Sequence, residues 1–226
     1  MGNLINRDKK WAYLHIPKTG GISLTELLQE EPGTEEIGSV HDSIHCLGSV
    51  DNYYIFCFVR NPFYQIMSGY CHMKSEVTKS FSTSNMRNYL KPNEDLTFLK
   101  FTKLIEAGED VFMENTQSHQ IYSGSTPQRK VEFIGRYENY YEDALSIATR
   151  LNIEYKPMYM NCSFVDIPTD EPTPTPADFS EHWTKEWNNF RNRLYKSMYT
   201  EQWMIDWVLE TRREDFENFG YSKILT

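Results

Sequence analysis

The sequence predicts an α/β fold, a single domain in which a central parallel sheet is flanked by helices. Three observations predict it. Short runs rich in aromatic and β-branched residues alternate with longer segments whose apolar residues recur at helical spacing. Two of the runs pass at once into a turn marked by glycine or proline that opens a helix, the strand–turn–helix order of a parallel crossover. The 226 residues suffice for one large core without disulfide or metal staples, so residues 1–226 read as a single domain.

Trp11 to Ile16 (WAYLHI) reads as the first strand and runs into Pro17-Lys18-Thr19-Gly20-Gly21. Ile22 to Glu30 follows as a helix, with Leu24, Leu27 and Leu28 on one face. Tyr54 to Val59 (YIFCFV) is a buried strand leading directly to Arg60-Asn61-Pro62, and proline suits the first turn of a helix. Phe63, Ile66, Met67 and Tyr70 form that helix's apolar stripe. Glu94 to Ala107 is predicted helical, with Leu96, Leu99, Phe101, Leu104 and Ile105 inward and Gly108 at its end. Val131 to Ile134 is a third strand, leading through Gly135-Arg136-Tyr137 to a helix from Glu138 to Leu151. Asp166 to Ala177 carries Pro168, Pro172, Pro174 and Pro176, so this segment (about 166–177) should run extended as a surface loop. Residues 178–219 are helical in pattern with a break near Thr200, and read as two helices packed back on the sheet.

Composition narrows the function. A hydrophobic share of 39% and an aromatic share of 15% mark a globular chain. A net charge of −9 argues against nucleic acids and anionic membranes as partners, though local cations can still hold a small anion. Cys46, Cys57, Cys71 and Cys162 include no CxxC pair, so they read as buried thiols and not as a zinc or disulfide framework. No apolar run approaches the roughly 20 residues of a membrane span, and Met1 to Lys10 lacks a signal-like apolar region. A reducing setting, cytoplasmic or otherwise soluble, is expected. The single sequon, Asn161-Cys162-Ser163, is a weak counter-signal.

The chemistry concentrates in two places. In His15-Ile16-Pro17-Lys18-Thr19-Gly20-Gly21-Ile22-Ser23, a helix N-terminus supplies unpaired N–H groups for an anion. Gly20 and Gly21 allow close backbone approach, Lys18 adds a cation, and Thr19 and Ser23 add hydroxyls. The ATPase loop GxxxxGK[ST] places its lysine after the glycines, whereas Lys18 precedes them. No acidic strand end suits magnesium, so ATP fits poorly and no metal is expected. In Phe58-Val59-Arg60-Asn61-Pro62, arginine follows a strand, and Ser68 lies eight residues on, about two helical turns away. Arginine's planar fork binds phosphate oxygens bidentately.

Together these segments resemble the sulfotransferases that use PAPS (3′-phosphoadenosine 5′-phosphosulfate), particularly the carbohydrate (heparan sulfate 2-O-like) enzymes. The likeness extends through Thr116-Gln117-Ser118-His119-Gln120, Phe133-Ile134-Gly135-Arg136-Tyr137-Glu138-Asn139, and the closing stretch Tyr195 to Tyr221. Tyr64-Gln65 departs from a common Asp-Arg pair, Cys162 stands in place of a lysine, and the Pro-rich loop is an insertion. The resemblance implies a P-loop-NTPase-like sulfotransferase fold, PAPS as co-substrate, PAP (adenosine 3′,5′-bisphosphate) as product, no metal, and a hydroxyl-bearing acceptor. It assigns the 5′-phosphosulfate to Pro17, Lys18, Thr19, Gly20, Gly21, Ile22 and Ser23, and the 3′-phosphate to Arg60 and Ser68. Gln117 and Arg136 are either donor contacts or loop pins, and Tyr137 either stacks on adenine or belongs to the core.

Sulfuryl transfer needs charge stabilised on the bridging oxygen, a role for Lys18, and a general base for the acceptor hydroxyl. His41, within an HxS pattern similar to one in related enzymes, is the first candidate base, His45 the second, and Glu35 or Glu36 the carboxylate alternatives. His15 reads as structural. His72, His119 and His182 read as surface or core, with His119 also able to line the acceptor side. Trp183, Trp187, Trp203 and Trp207 read as core. The acidic chain favours a neutral or lightly charged glycan, a glycolipid or a small hydroxylated metabolite as acceptor over a heavily sulfated polymer. Two rival readings are a P-loop nucleotide kinase and a non-catalytic PAPS- or PAP-binding protein.

Overall fold

Asn6 folds the chain back on itself. Its side-chain oxygen accepts from the Lys9 backbone N–H (2.9 Å), and Lys10 takes a left-handed φ of 54°. This closes a hairpin between β1 (Asn3–Asn6) and β2 (Trp11–Leu14), with Leu4 opposite Tyr13 and Asn6 opposite Trp11. The structure, a computed structural model, describes residues 2–39, 42–78, 95–108, 113, 115–123, 125–126, 130–156 and 181–225. His41, the Asn161-Cys162-Ser163 segment and the Pro-rich stretch lie outside the described residues.

The sheet has the order β3-β1-β2-β4-β5, completed by β3 (Thr34–Ile37), β4 (Tyr54–Val59) and β5 (Phe133–Arg136). β2, β4 and β5 run parallel, while β1 is antiparallel to both its neighbours. The sheet is therefore mixed, not wholly parallel. Neither outlying strand follows from apolar patterning. Asn3 and Asn6 are fully buried polar residues whose side-chain amides find internal partners, and the TEEI strand is half exposed at an edge. The third parallel strand lies two residues beyond its predicted start, because Gly135 must face Phe58. A Cβ there would stand 2.8 Å from the Phe58 ring.

Helices cover both faces. Leu4, Tyr13, Phe56 and Phe58 pack against α1 (Gly21–Gln29) and α5 (Tyr140–Leu151), the latter entered through a 3-10 turn at Tyr137–Asn139. Ile5, Leu14, Ile55 and Val59 pack on the other side with a 3-10 turn at Ile44–Leu47, with Ile121 of α4 (Gln117–Tyr122) and with Phe219. A third cluster joins α2 (Pro62–Thr78) and α3 (Phe98–Glu106) to the C-terminal helices through Phe63, Phe101, Tyr199 and Phe216. The Thr97 hydroxyl caps α3 by accepting from Lys100 N–H, which turns Phe98, Phe101 and Ile105 inward. Leu99, predicted inward, is 48% exposed on the opposite face.

The C-terminal region forms three helices and not two: α6 (Glu181–Ser197), α7 (Gln202–Thr211) and α8 (Arg213–Phe219). The additional break falls at Arg212, which has non-helical backbone angles and sends its buried guanidinium to the Met113 carbonyl. No glycine or proline marks that break. Among the described tryptophan side chains, Trp187 is buried, and Trp203 and Trp207 pack against the third cluster, in keeping with core roles. No helix among the described residues is long and apolar enough to cross a membrane.

Candidate donor site at the sheet's C-terminal edge

Because β2, β4 and β5 are parallel, the residues that follow them meet at one edge, the position where open α/β sheets bind ligands. The loop after β2 is fixed through its carbonyls. Ile16 O accepts from the Thr19 hydroxyl (2.9 Å), Pro17 O from Gln65 Nε2 (3.0 Å), Lys18 O from Arg60 Nη1 (3.2 Å) and Gly20 O from Tyr140 OH (3.1 Å). These four carbonyls hold the loop's backbone in place. Lys18 has a left-handed φ of 63°, and Gly20 stands at the N-cap of α1 with φ 86° and no side-chain cap. A Cβ on Gly21 would stand 2.1 Å from His15 Cδ2, so the His15 ring fills the space that glycine leaves. His15 is buried, and its backbone N–H donates to Asn3 Oδ1 (2.7 Å), which supports its structural reading.

Arg60 follows β4 and is only 1% exposed. Gln117 holds its backbone from both sides: Arg60 N–H donates to Gln117 Oε1, and Gln117 Nε2 donates to Arg60 O, each at 2.8 Å. The guanidinium carbon lies 4.0 Å from the centre of the Tyr137 ring and 5.4 Å from that of Tyr195. Nη1 is spent on Lys18 O, whereas buried Nε and Nη2 have no hydrogen-bond partner among the described residues.

One face of α2 fronts this cation. Tyr64, Ser68 and Cys71 recur at helical spacing and are all buried. Burial raises the Tyr64 pKa, the Glu138 carboxylate adds to the rise and Arg60 opposes it. Burial pushes the Cys71 thiol up to about 11, against the charges of Arg191, Lys18, Arg60 and Lys74. Tyr64 and Cys71, on either side of Ser68 along this helix face, both sense Arg60, and Cys71 also senses the half-buried Lys18.

Other predicted site residues have different surroundings. The Gln117 amide is occupied by Arg60 and by Asp215, which also accepts from the N–H groups of Gln117 (3.1 Å) and Ser118 (2.7 Å). Arg136 sends its guanidinium to Phe219 O (2.6 Å) and over the Tyr221 ring, pinning the C-terminal tail. Tyr137 is buried beneath Arg60 with its hydroxyl bonded to Arg191. His45 is exposed on its 3-10 turn. Glu35 pairs with Arg7 at 3.6 Å, and Glu36 accepts from the Gly2 backbone N–H, both on the edge strand. His119 is exposed and lines a separate cavity with Asn115, Thr116, Glu210 and Glu214.

The model of the sulfotransferase family matches residues 2–222. The chain belongs to the sulfotransferase family. No curated protein and no solved structure matches it. The family match covers the whole sheet and the closing helices, so this sulfotransferase is built on a mixed central sheet with the donor-loop candidate at its parallel edge. Sequence reasoning left two contributors unassigned. Gln65, noted only as a departure, anchors Pro17. Arg191 on α6 is buried beside Tyr137 and Tyr195, and its signal was a cation on the same helical stripe as Trp187 and Leu194.

Proposed function

We propose that this sulfotransferase takes its sulfuryl group from PAPS and transfers it to an acceptor hydroxyl on a carbohydrate, a glycolipid or a small hydroxylated metabolite. The observation that carries the reading is the buried Arg60 guanidinium, whose Nε and Nη2 have no hydrogen-bond partner among the described residues. An unsatisfied buried donor costs about 1–3 kcal/mol, so such a group favours an anion that supplies the missing acceptors. The phosphosulfate loop binds the 5′ end of the donor through the amides of Gly20 to Ser23 and through Lys18. Arg60 and Ser68 then receive the 3′-phosphate, which ordinary nucleotides lack. The acceptor oxygen bonds to sulfur as the bond from sulfur to the bridging phosphate oxygen breaks, and PAP leaves with that electron pair. Lys18 stabilises the charge developing on the bridging oxygen, and the base removes the acceptor proton.

His41 is our choice for that base. Its chain neighbour Asp42 has its carbonyl held by Asn3 Nδ2 (3.0 Å), and the same Asn3 side chain holds His15 at the root of the loop. Glu35 and Glu36 already have partners on the edge strand. Calorimetric titration with PAP, ADP and ATP–magnesium tests the donor. Tight PAP binding with weak ADP binding is expected, and equal affinity for PAP and ADP refutes the 3′-phosphate clamp. Turnover of labelled PAPS with candidate acceptors then separates an enzyme from a non-catalytic PAP binder.

A further inference from the structure

Arg60 can use the donors that have no partner among the described residues only while its planar group stays in register with the phosphate position, and two tyrosine rings border that group. One residue holds both rings. Arg191 Nη1 donates to Tyr137 OH at 2.9 Å, and Arg191 Nη2 donates to Tyr195 OH at 2.8 Å. The Asn188 side chain, on the same helix, reaches the Tyr137 carbonyl at 3.5 Å, so α6 grips Tyr137 at both ends. Arg191 is 8% exposed, and its charge acts on the same Cys71 thiol as those of Lys18 and Arg60. Two hydroxyls held by one planar fork is a geometry that lysine cannot reproduce.

We propose that Arg191 is a positioning residue for 3′-phosphate recognition, acting through Tyr137 and Tyr195 to hold the Arg60 guanidinium in place. This rests on the PAPS reading above. The role makes α6 part of the donor site's specificity, and its effect falls on the 3′-phosphate and not on the rest of the nucleotide.

The test compares binding of PAPS with that of adenosine 5′-phosphosulfate, which lacks only the 3′-phosphate, in wild type, Arg191→Gln, Arg191→Lys and Tyr195→Phe. Thermal denaturation of each protein runs in parallel. Arg191→Gln should lower the preference for PAPS about 10- to 100-fold while changing affinity for adenosine 5′-phosphosulfate less than about threefold. Arg191→Lys should recover only part of that preference. Tyr195→Phe removes a single hydroxyl and should lower the preference several-fold, which keeps the test decisive if Arg191→Gln does not fold. Loss of affinity for both nucleotides in parallel, or a lowered melting temperature with the preference intact, overturns the positioning role. A wild-type protein with no preference for PAPS instead overturns the donor reading on which the role rests.

Discussion

Replacing Arg60 with methionine separates its effect on folding from its effect on binding. In the ligand-free protein, two nitrogens with no hydrogen-bond partner among the described residues cost about 1–3 kcal/mol each. Against this stand one charge-assisted bond to Lys18 O, worth about 1.5–3 kcal/mol, and the Tyr137 ring contact, worth about 0.5–2 kcal/mol. These contributions nearly cancel, and the two bonds to Gln117 use backbone atoms that the substitution retains. Arg60→Met should therefore change the stability of the free protein by less than about 2 kcal/mol in either direction. Binding should respond very differently. Losing a buried charged partner costs about 2–5 kcal/mol, a rise of about 30- to 5,000-fold in the Kd for PAP. Calorimetry at fixed ionic strength reads the affinity, and thermal denaturation with and without PAP reads both quantities, because a ligand stabilises only the state that binds it. A PAP affinity within about threefold of wild type, or a loss of more than about 4 kcal/mol in the free protein, would refute the reasoning. The second result would mean that Arg60 is a satisfied structural cation.

Three further outcomes are expected. Gly21→Ala should cost about 1–3 kcal/mol, since its Cβ meets the His15 ring, and adding His15→Ala should recover much of the loss; urea melts of the single and double variants check this. Asp215→Asn should cost about 1–3 kcal/mol by spoiling the acceptor for the Gln117 and Ser118 N–H groups. Burial raises the Asp215 pKa above its ordinary 3.8, so the folded state holds the proton more tightly. Its ionisation therefore subtracts stability as pH rises from 3.8 through the raised value, and the gap between wild type and variant should be widest at the acid end. Denaturation series across pH test the sign, and a gap that widens with pH contradicts it. His41→Ala should lower turnover by about 10²- to 10⁴-fold with PAP affinity unchanged, and normal turnover would transfer the base role to His45 or to a glutamate.

The turn between β2 and α1 was legible because its determinants are local. A strand, a lysine, two glycines and a helix within one short segment leave few arrangements open, and Arg60 is legible for the same reason at the end of YIFCFV. The antiparallel strand was hidden because Asn3 and Asn6 are buried through specific hydrogen bonds, which hydrophobic patterning does not detect. Glu35 and Glu36 looked available for catalysis because two adjacent carboxylates give no sign of edge-strand pairing with Asn3–Asn6. The break at Arg212 depends on a carbonyl distant in sequence, that of Met113, and so leaves no local mark. Arg191 acquires its role only from the tyrosines brought to it by β5 and by its own helix, and a helical stripe alone cannot distinguish such a residue from a solvated cation.

The same contacts explain why the chain's last helices matter to a site built mostly from its first 70 residues. Asp215 of α8 caps α4, and this orients Gln117. Gln117 in turn fixes both backbone polar groups of Arg60, and Arg60 holds the Lys18 carbonyl. Arg136 ties β5 to the tail at Phe219 and Tyr221, and Glu138 joins the Asn61 N–H to the Tyr221 hydroxyl. Each of these hydrogen bonds is 3.2 Å or shorter and all are buried or part-buried, so the position of the guanidinium is set by elements far apart in sequence. This also reconciles a net charge of −9 with the proposed anion site. Exposed carboxylates act through water and are screened beyond about 8 Å at physiological salt, whereas buried cations act at contact distance in a medium of lower dielectric. The acidic surface thus bears on which large partners approach, while, on the proposed reading, Arg60 and its buried neighbours would select the small anion.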